Sequence, residues 1–267
     1  MGILNRPTSR RSVISRDTPV SWAVAVAGIL LWQVVASLHW FPSVALPSPL
    51  RVAHDIWATT VFGYSGHTLP EDIAASLGRI SVGFLAAVAV GVPVGFLMAT
   101  YRGVFLAIDP WLQFFRPVPP LAYIPVLVIW FGIGELSKVL LIFFCTLPIL
   151  ILSTMGGVRS IPETRLRLAA VFGLTPWQRF FGIVLPSVLP DIFTGMRVGI
   201  GIAWTCLVAA EMIAAQSGLG AMIEIAGGEL RTGVVFVGIV FIGLIGYVME
   251  VVLRTIERRV VFWTGKG

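Results

Sequence analysis

Ser160 to Pro190 reads SIPETRLRLAAVFGLTPWQRFFGIVLPSVLP. Within the 267 residues it is the longest segment that is both charged and patterned, and uncharged apolar runs lie on either side. Ser160 followed by Glu163 has the spacing of a capping box, with Pro162 in the first turn, where a missing N–H is no loss. Gly173 then supplies a stop, because glycine enters the left-handed region in which helices end. Thr175 followed by Gln178 is a second capping box around Pro176, and Pro186 closes the second helix. The pattern predicts two short helices joined at Gly173, outside the hydrocarbon. Arg159, Arg165, Arg167 and Arg179 put them on the cytoplasmic side if the flanks span a bilayer.

The flanks have the composition for it. Hydrophobic residues make up 57% and charged residues 12%, and the mean hydropathy is +0.93, far from a soluble domain. The net charge is +6, but the arginines sit at the ends of apolar runs and form no basic face, which argues against nucleic acid as a partner. No GxxxxGK[ST] occurs, so this chain carries no P-loop for ATP. Cys145 and Cys206 lie inside apolar runs and read as small buried hydrophobes. His39, His54 and His67 have no ligand spacing, so neither a metal site nor a catalytic residue is expected.

Taken in order, residues 1–19 form a basic tail with Arg6, Arg10, Arg11 and Arg16, and 20–40 a first transmembrane helix with Trp22 and Trp40 near its ends. Residues 41–79 are an external loop, in which PLRVAHDIWATTVF makes an interfacial helix. Residues 80–253 hold five further spans. The second, 80–100, has Gly91 and Gly95 at helical spacing for close packing. The third, 111–134, contains Pro117, Pro119, Pro120 and Pro125, which one regular helix cannot hold. It is either a broken helix along a path or a helix that starts late. The fourth runs from 138 to 158, the coupling loop from 160 to 186, the fifth follows Pro190, and the sixth covers 234–252. Residues 254–267 return to the cytoplasm. Six spans put both termini inside. Most of the 19 Lys and Arg residues then fall inside, against Arg51, Arg79, Lys138 and Arg231 outside, as the positive-inside rule requires.

Arg197, Trp204 and Glu211 recur at seven-residue intervals on the fifth span and drift only about 20° per step, so they share one face. Arg197 and Glu211 lie roughly 21 Å apart along it and cannot pair with each other. A charge at mid-bilayer costs about 2.5–3.5 kcal/mol on insertion scales. These residues, with Arg116, therefore line a translocation path or pair with neighbouring helices. Gly218, Gly220, Gly227 and Gly228 then permit an irregular or re-entrant turn over its mouth.

The central stretch also resembles the cytoplasmic coupling loop of ABC-importer permeases, written Glu-Ala-Ala, three residues, Gly, nine residues, Ile-x-Leu-Pro. Ala169, Gly173, Ile183, Leu185 and Pro186 match, while Arg167 stands for the Glu and Leu168 for the first Ala. RPVPPLAYIPVLVIWFGIGELSK, Arg116 to Lys138, and the LPSP opening from Leu46 to Val52 resemble the taurine, sulfonate, nitrate and bicarbonate branch, the taurine permeases most of all. The resemblance implies an all-α, six-helix polytopic protein of the type I importer (MetI-like) fold in the bacterial inner membrane. It implies a permease subunit and no enzyme. The partners it implies are a second copy of the chain, two ABC ATP-binding subunits docked on 160–186, a periplasmic substrate-binding protein and membrane lipid. This chain would hold no cofactor, and ATP and Mg would be used by the partner ATPase. The implied substrate is taurine or another alkyl sulfonate, with nitrate, bicarbonate or another small solute as the alternative. A stand-alone secondary transporter would need Glu211 as its only mid-membrane carboxylate.

Overall fold

The computed structural model describes residues 18–38, 40, 42 and 44–263. The basic tail 1–17 and residues 264–267 lie outside the described residues. Among those described, every regular element is a helix, apart from an isolated antiparallel bridge between Tyr64 and His67.

The chain opens with α1 (Thr18–Ser37) and α2 (Pro49–Val61). Ser48 caps α2 by accepting from Arg51 N–H, and Pro49 occupies the first helical position. The long helix α3 (Leu69–Thr100) begins earlier than hydropathy suggests. The Glu71 carboxylate accepts from the Thr68 N–H at 2.7 Å and Pro70 sits in the first turn, so residues 69–79 of the expected external loop are already helical.

Close packing fixes the bundle. A Cβ on Gly83 would stand 2.8 Å from Ile142 Cβ, one on Gly91 2.9 Å from Leu150 Cβ, and one on Gly95 2.7 Å from Thr154 Cβ. Each glycine of α3 therefore meets the residue at the same offset on α6 (Glu135–Arg159), so the two helices run parallel with backbones in contact. The chain between them must recross. It does so through α4 (Arg102–Phe115) and, after a 3₁₀ turn at Pro120–Tyr123, α5 (Ile124–Phe131). The two halves are bent by 98° at the proline-rich break. Of the two readings of 111–134, this is the broken helix.

Beyond α6 come α7 (Glu163–Val171), α8 (Pro176–Arg179), a π-helical turn (Phe180–Val184), α9 (Leu185–Ala214), α10 (Leu219–Gly228) and α11 (Thr232–Val260). The fifth span thus starts before Pro190, which the helix accommodates in its interior. The wide turn has a cause. Pro186 has no N–H and its ring would press on the Gly182 carbonyl of a regular helix, and Leu185 N–H reaches back to Phe180. α9 runs antiparallel to α6, with Gly195 against Ser153, Gly199 against Thr146 and Gly157 against Val188 and Asp191. The central core of Ile80, Phe84, Ile142, Ile200, Ala203, Trp204, Leu207 and Leu253 is drawn from α3, α6, α9 and α11.

Four helices among the described residues are long and apolar enough to cross a membrane, Leu69–Thr100, Glu135–Arg159, Pro176–Ala214 and Thr232–Val260, and the bent pair makes five. The expected first span contributes only the shorter apolar stretch Val26–Ser37. Against the six expected spans, four or five are counted among the described residues.

Candidate functional site

The segment 160–186 sits where α6 ends and α9 begins, at one end of the bundle. Its first capping box does not form. Ser160 closes α6 instead, and its hydroxyl donates to the Gly157 carbonyl at 2.8 Å. Pro162 takes the N-cap place of α7 with no side-chain cap, and Glu163 pairs with Arg167 at 2.6 Å. The stop at Gly173 forms a Schellman motif. Gly173 has φ +66°, Leu174 N–H donates to Ala169 O at 3.1 Å and Gly173 N–H to Ala170 O at 3.0 Å. The second capping box closes in both directions, with Gln178 N–H on Thr175 Oγ1 at 3.3 Å and Thr175 N–H on Gln178 Oε1 at 2.9 Å.

The helix pair has two sides. Ile161 packs with Val188 and Ile192 of α9, with Leu166 and Val184 alongside, and Ala169 is buried. Ile183, Leu185 and Pro186 are half-buried at the π turn. Facing away, Arg167 and Leu168 are exposed, and Val171, Phe172 and Trp177 are 82%, 76% and 72% exposed. Trp177 stacks on Phe181 at 5.3 Å between ring centres. A Cβ on Gly173 would meet nothing within 4 Å. A helix pair seated against α9 and presenting bare aromatic and aliphatic side chains is suited to receive another protein.

At the opposite end lies a buried ionic cluster. Arg79 Nη1 donates to Glu211 Oε1 and to the Ser217 carbonyl, each at 2.7 Å. The Ser76 hydroxyl donates to Glu211 at 2.8 Å. Three successive N–H groups at the start of α10 are taken up by side chains: Gly218 by Asp72 at 2.7 Å, Leu219 by Ser76 at 3.0 Å and Gly220 by Glu211 at 2.9 Å. Gly218 has φ +115°, and a Cβ there would collide with Glu211 and Arg79, so only glycine fits. Lys138 lies beside the cluster, 3.4 Å from Glu135 and 3.2 Å from the Ile133 carbonyl.

The three residues read as one polar face have different surroundings. Glu211 is in the ionic cluster. Trp204 is closed into the central core, and its indole N–H has no partner among the described residues. Arg197 reaches Glu257 of α11 at 3.4 Å, with both side chains partly exposed. Arg116 is exposed at the end of α4. Among the described residues, Trp204 and Glu211 thus face protein, and Arg197 and Glu211 both pair with other helices. Sequence reasoning missed Asp72, Ser76, Arg79 and Glu135. The sequence places Arg79 in the external loop because its second span begins at residue 80, and Lys138 at the external start of the fourth span. The signal that could have found Arg79 is the Thr68–Glu71 capping box with Pro70, which starts the helix eleven residues earlier.

Beyond the cluster, Tyr64 donates to Glu229 at 2.8 Å and Arg231 pairs with Glu229 at 3.4 Å. Partial burial, then the hydrogen bond and charge of Glu229, push the Tyr64 phenol up to about 12. Cys145 and Cys206 share a buried cluster with Ile124, Leu127, Leu141 and Ala210.

Residues 91–262 match the family described as "Binding-protein-dependent transport system inner membrane component". The chain is 41% identical over 259 residues to the "Taurine transport system permease protein TauC" of Escherichia coli (strain K12), covering 95% of this chain and 92% of that protein. It is 32% identical to the "Nitrate import permease protein NrtB" of Synechocystis sp. (strain ATCC 27184 / PCC 6803 / Kazusa), covering 90% and 88%. In fold it matches a chain of the MetNI methionine ABC transporter solved in inward-facing conformations, with TM-score 0.59, 18% identity, and coverage of 71% of this chain and 94% of that one. The matched region takes in the Gly173 helix pair, the π turn and the antiparallel α6–α9 packing, so the chain belongs to the binding-protein-dependent inner membrane component family, as a permease subunit of an ABC importer.

Proposed function

We propose that the chain moves taurine or a closely related alkyl sulfonate inward, working as a homodimer with two ATP-binding subunits on 160–186 and a substrate-binding protein at the α10 end. ATP and Mg are used by the ATPase partner, and this chain performs no covalent chemistry. The observation that carries the reading is the bare apolar side of the helix pair, Leu168, Val171, Phe172, Trp177 and Phe181, seated on the bundle through Ile161 and Leu166. Closure of the ATPase dimer pushes on this side. The run from α8 through the π turn to α9 carries the push towards the α10 end as the displacement of one packed element.

The arginines of 159–179 and the tail residues Arg254, Arg258 and Arg259 favour the cytoplasm for that end, with both termini on that side. Taurine comes first because the relative named for it is 41% identical and the one named for nitrate 32%. The path role falls to Arg116 and Arg197, whose side chains are not closed into the core of the chain. The binding protein supplies selectivity, so the isolated permease holds taurine with a Kd weaker than about 1 mM, or about 4 kcal/mol. Uptake by cells expressing the complete complex tests the substrate. Taurine accumulation that excess nitrate leaves untouched is expected, and accumulation of nitrate alone would move the chain to the other reading.

A further inference from the structure

Arg79 has five N–H donors, and all of them have partners. Nε and Nη2 donate to the Glu135 carboxylate, Nη1 to Glu211 and the Ser217 carbonyl, and Nη2 also to the Ser217 hydroxyl. The partners differ in one respect. Glu211 is sealed, with its side chain 0% exposed, whereas that of Glu135 is 64% exposed. A Glu211 that let go would be a stranded buried carboxylate. A Glu135 that let go would turn out of the cluster on its exposed side, and Arg79 would keep Glu211 as its buried counter-charge.

Glu135 opens α6 directly after the turn that joins it to the broken span. That turn contains Gly132, with φ +77°, and Gly134, and Lys138 grips its Ile133 carbonyl. On the other side of Arg79, the side chains of Asp72, Ser76 and Glu211 bind α3, α9 and α10 into one closed unit. We infer that Arg79 and Glu135 form a releasable latch. In it, Arg79 is a positioning residue seated permanently in the α3–α9–α10 unit, and transport requires the α5–α6 turn to leave that unit by breaking the Glu135 arm. The inference rests on the permease reading and adds to it which joint moves at the α10 end and which stays fixed.

The test uses the full complex with its ATPase partner, with Cys145→Ala and Cys206→Ala in the permease and labelled chain diluted into unlabelled. Spin-label distances are measured between exposed positions in two pairs, Ile133→Cys with Gln216→Cys across the latch, and Ala74→Cys with Gln216→Cys within the fixed unit. Trapping with ATP and vanadate is expected to lengthen and broaden the first distance and leave the second unchanged. Glu135→Gln is expected to broaden the first distance without nucleotide. A first distance that nucleotide leaves unmoved, or a second that shifts as far as the first, overturns the latch. ATP hydrolysis with an unmoved turn overturns the latch alone, whereas a permease that recruits no ATPase defeats the permease reading as well.

Discussion

Arg79 and Glu211 meet at 2.7 Å between α3 and α9, with 4% and 0% of their side chains exposed. Two charges this deep are held by each other and by the polar groups around them. Glu211 accepts from Arg79, from the Ser76 hydroxyl and from the Gly220 backbone. Such a pair need not add net stability over an apolar core, but removing one member leaves an uncompensated charge.

Arg79→Ala is therefore expected to cost about 3–5 kcal/mol, read as a drop in the unfolding transition of the purified permease. Glu135→Gln, on the exposed arm, is expected to cost no more than about 1 kcal/mol. Equal losses at the two positions would mean that the cluster does not have a buried and an exposed side.

Small residues are expected to matter only where helices touch. A Cβ on Gly195 would stand 2.5 Å from Ser153 Cβ, whereas one on Gly201 of the same helix would meet nothing within 4 Å. Gly195→Ala is expected to lower stability by about 1–3 kcal/mol through overpacking, and Gly201→Ala to leave it unchanged. Similar melting of the two variants would refute the α6–α9 contact.

Those contacts also mark how far the sequence could be read. The helix pair around Gly173 was legible because its Schellman stop and the Thr175–Gln178 box are local chemistry, complete within a few residues. The Ser160 box had the same spacing and failed, because α6 continues to Arg159 and turns the Ser160 hydroxyl back on its own last turn. The broken span was legible from its prolines. The partner of Glu211 was not, since Ser76 and Arg79 lie more than a hundred residues earlier and only the parallel register of α3 on α6 and the antiparallel packing of α9 bring them together. The shared face of Arg197, Trp204 and Glu211 was a correct statement about helical periodicity. What it could not contain was the identity of the facing residues, Glu257 for one and Arg79 for another.

Orientation is open to a direct check. With Cys145 and Cys206 replaced, Ser160→Cys is expected to resist a membrane-impermeant thiol reagent in intact cells and to react once the membrane is opened. Reaction in intact cells would invert the topology.

Gly173 separates backbone from docking. Asn tolerates the left-handed conformation and Leu does not, at about 1–2 kcal/mol for a bulky residue. Any side chain there projects into the open space that the ATPase would fill. Gly173→Leu is expected to leave the permease in the membrane and abolish substrate-stimulated ATP hydrolysis, with Gly173→Asn retaining part of it. Full stimulation in the Leu variant would remove this segment from coupling.

The most direct measurement is taurine uptake into proteoliposomes that contain the permease, its ATP-binding subunits and its binding protein. Accumulation is expected only when all three proteins and ATP are present, and it should disappear with Gly173→Leu. Taurine accumulation by the permease alone, without ATP or the ATPase, would contradict the claim that this chain is driven through its coupling helices.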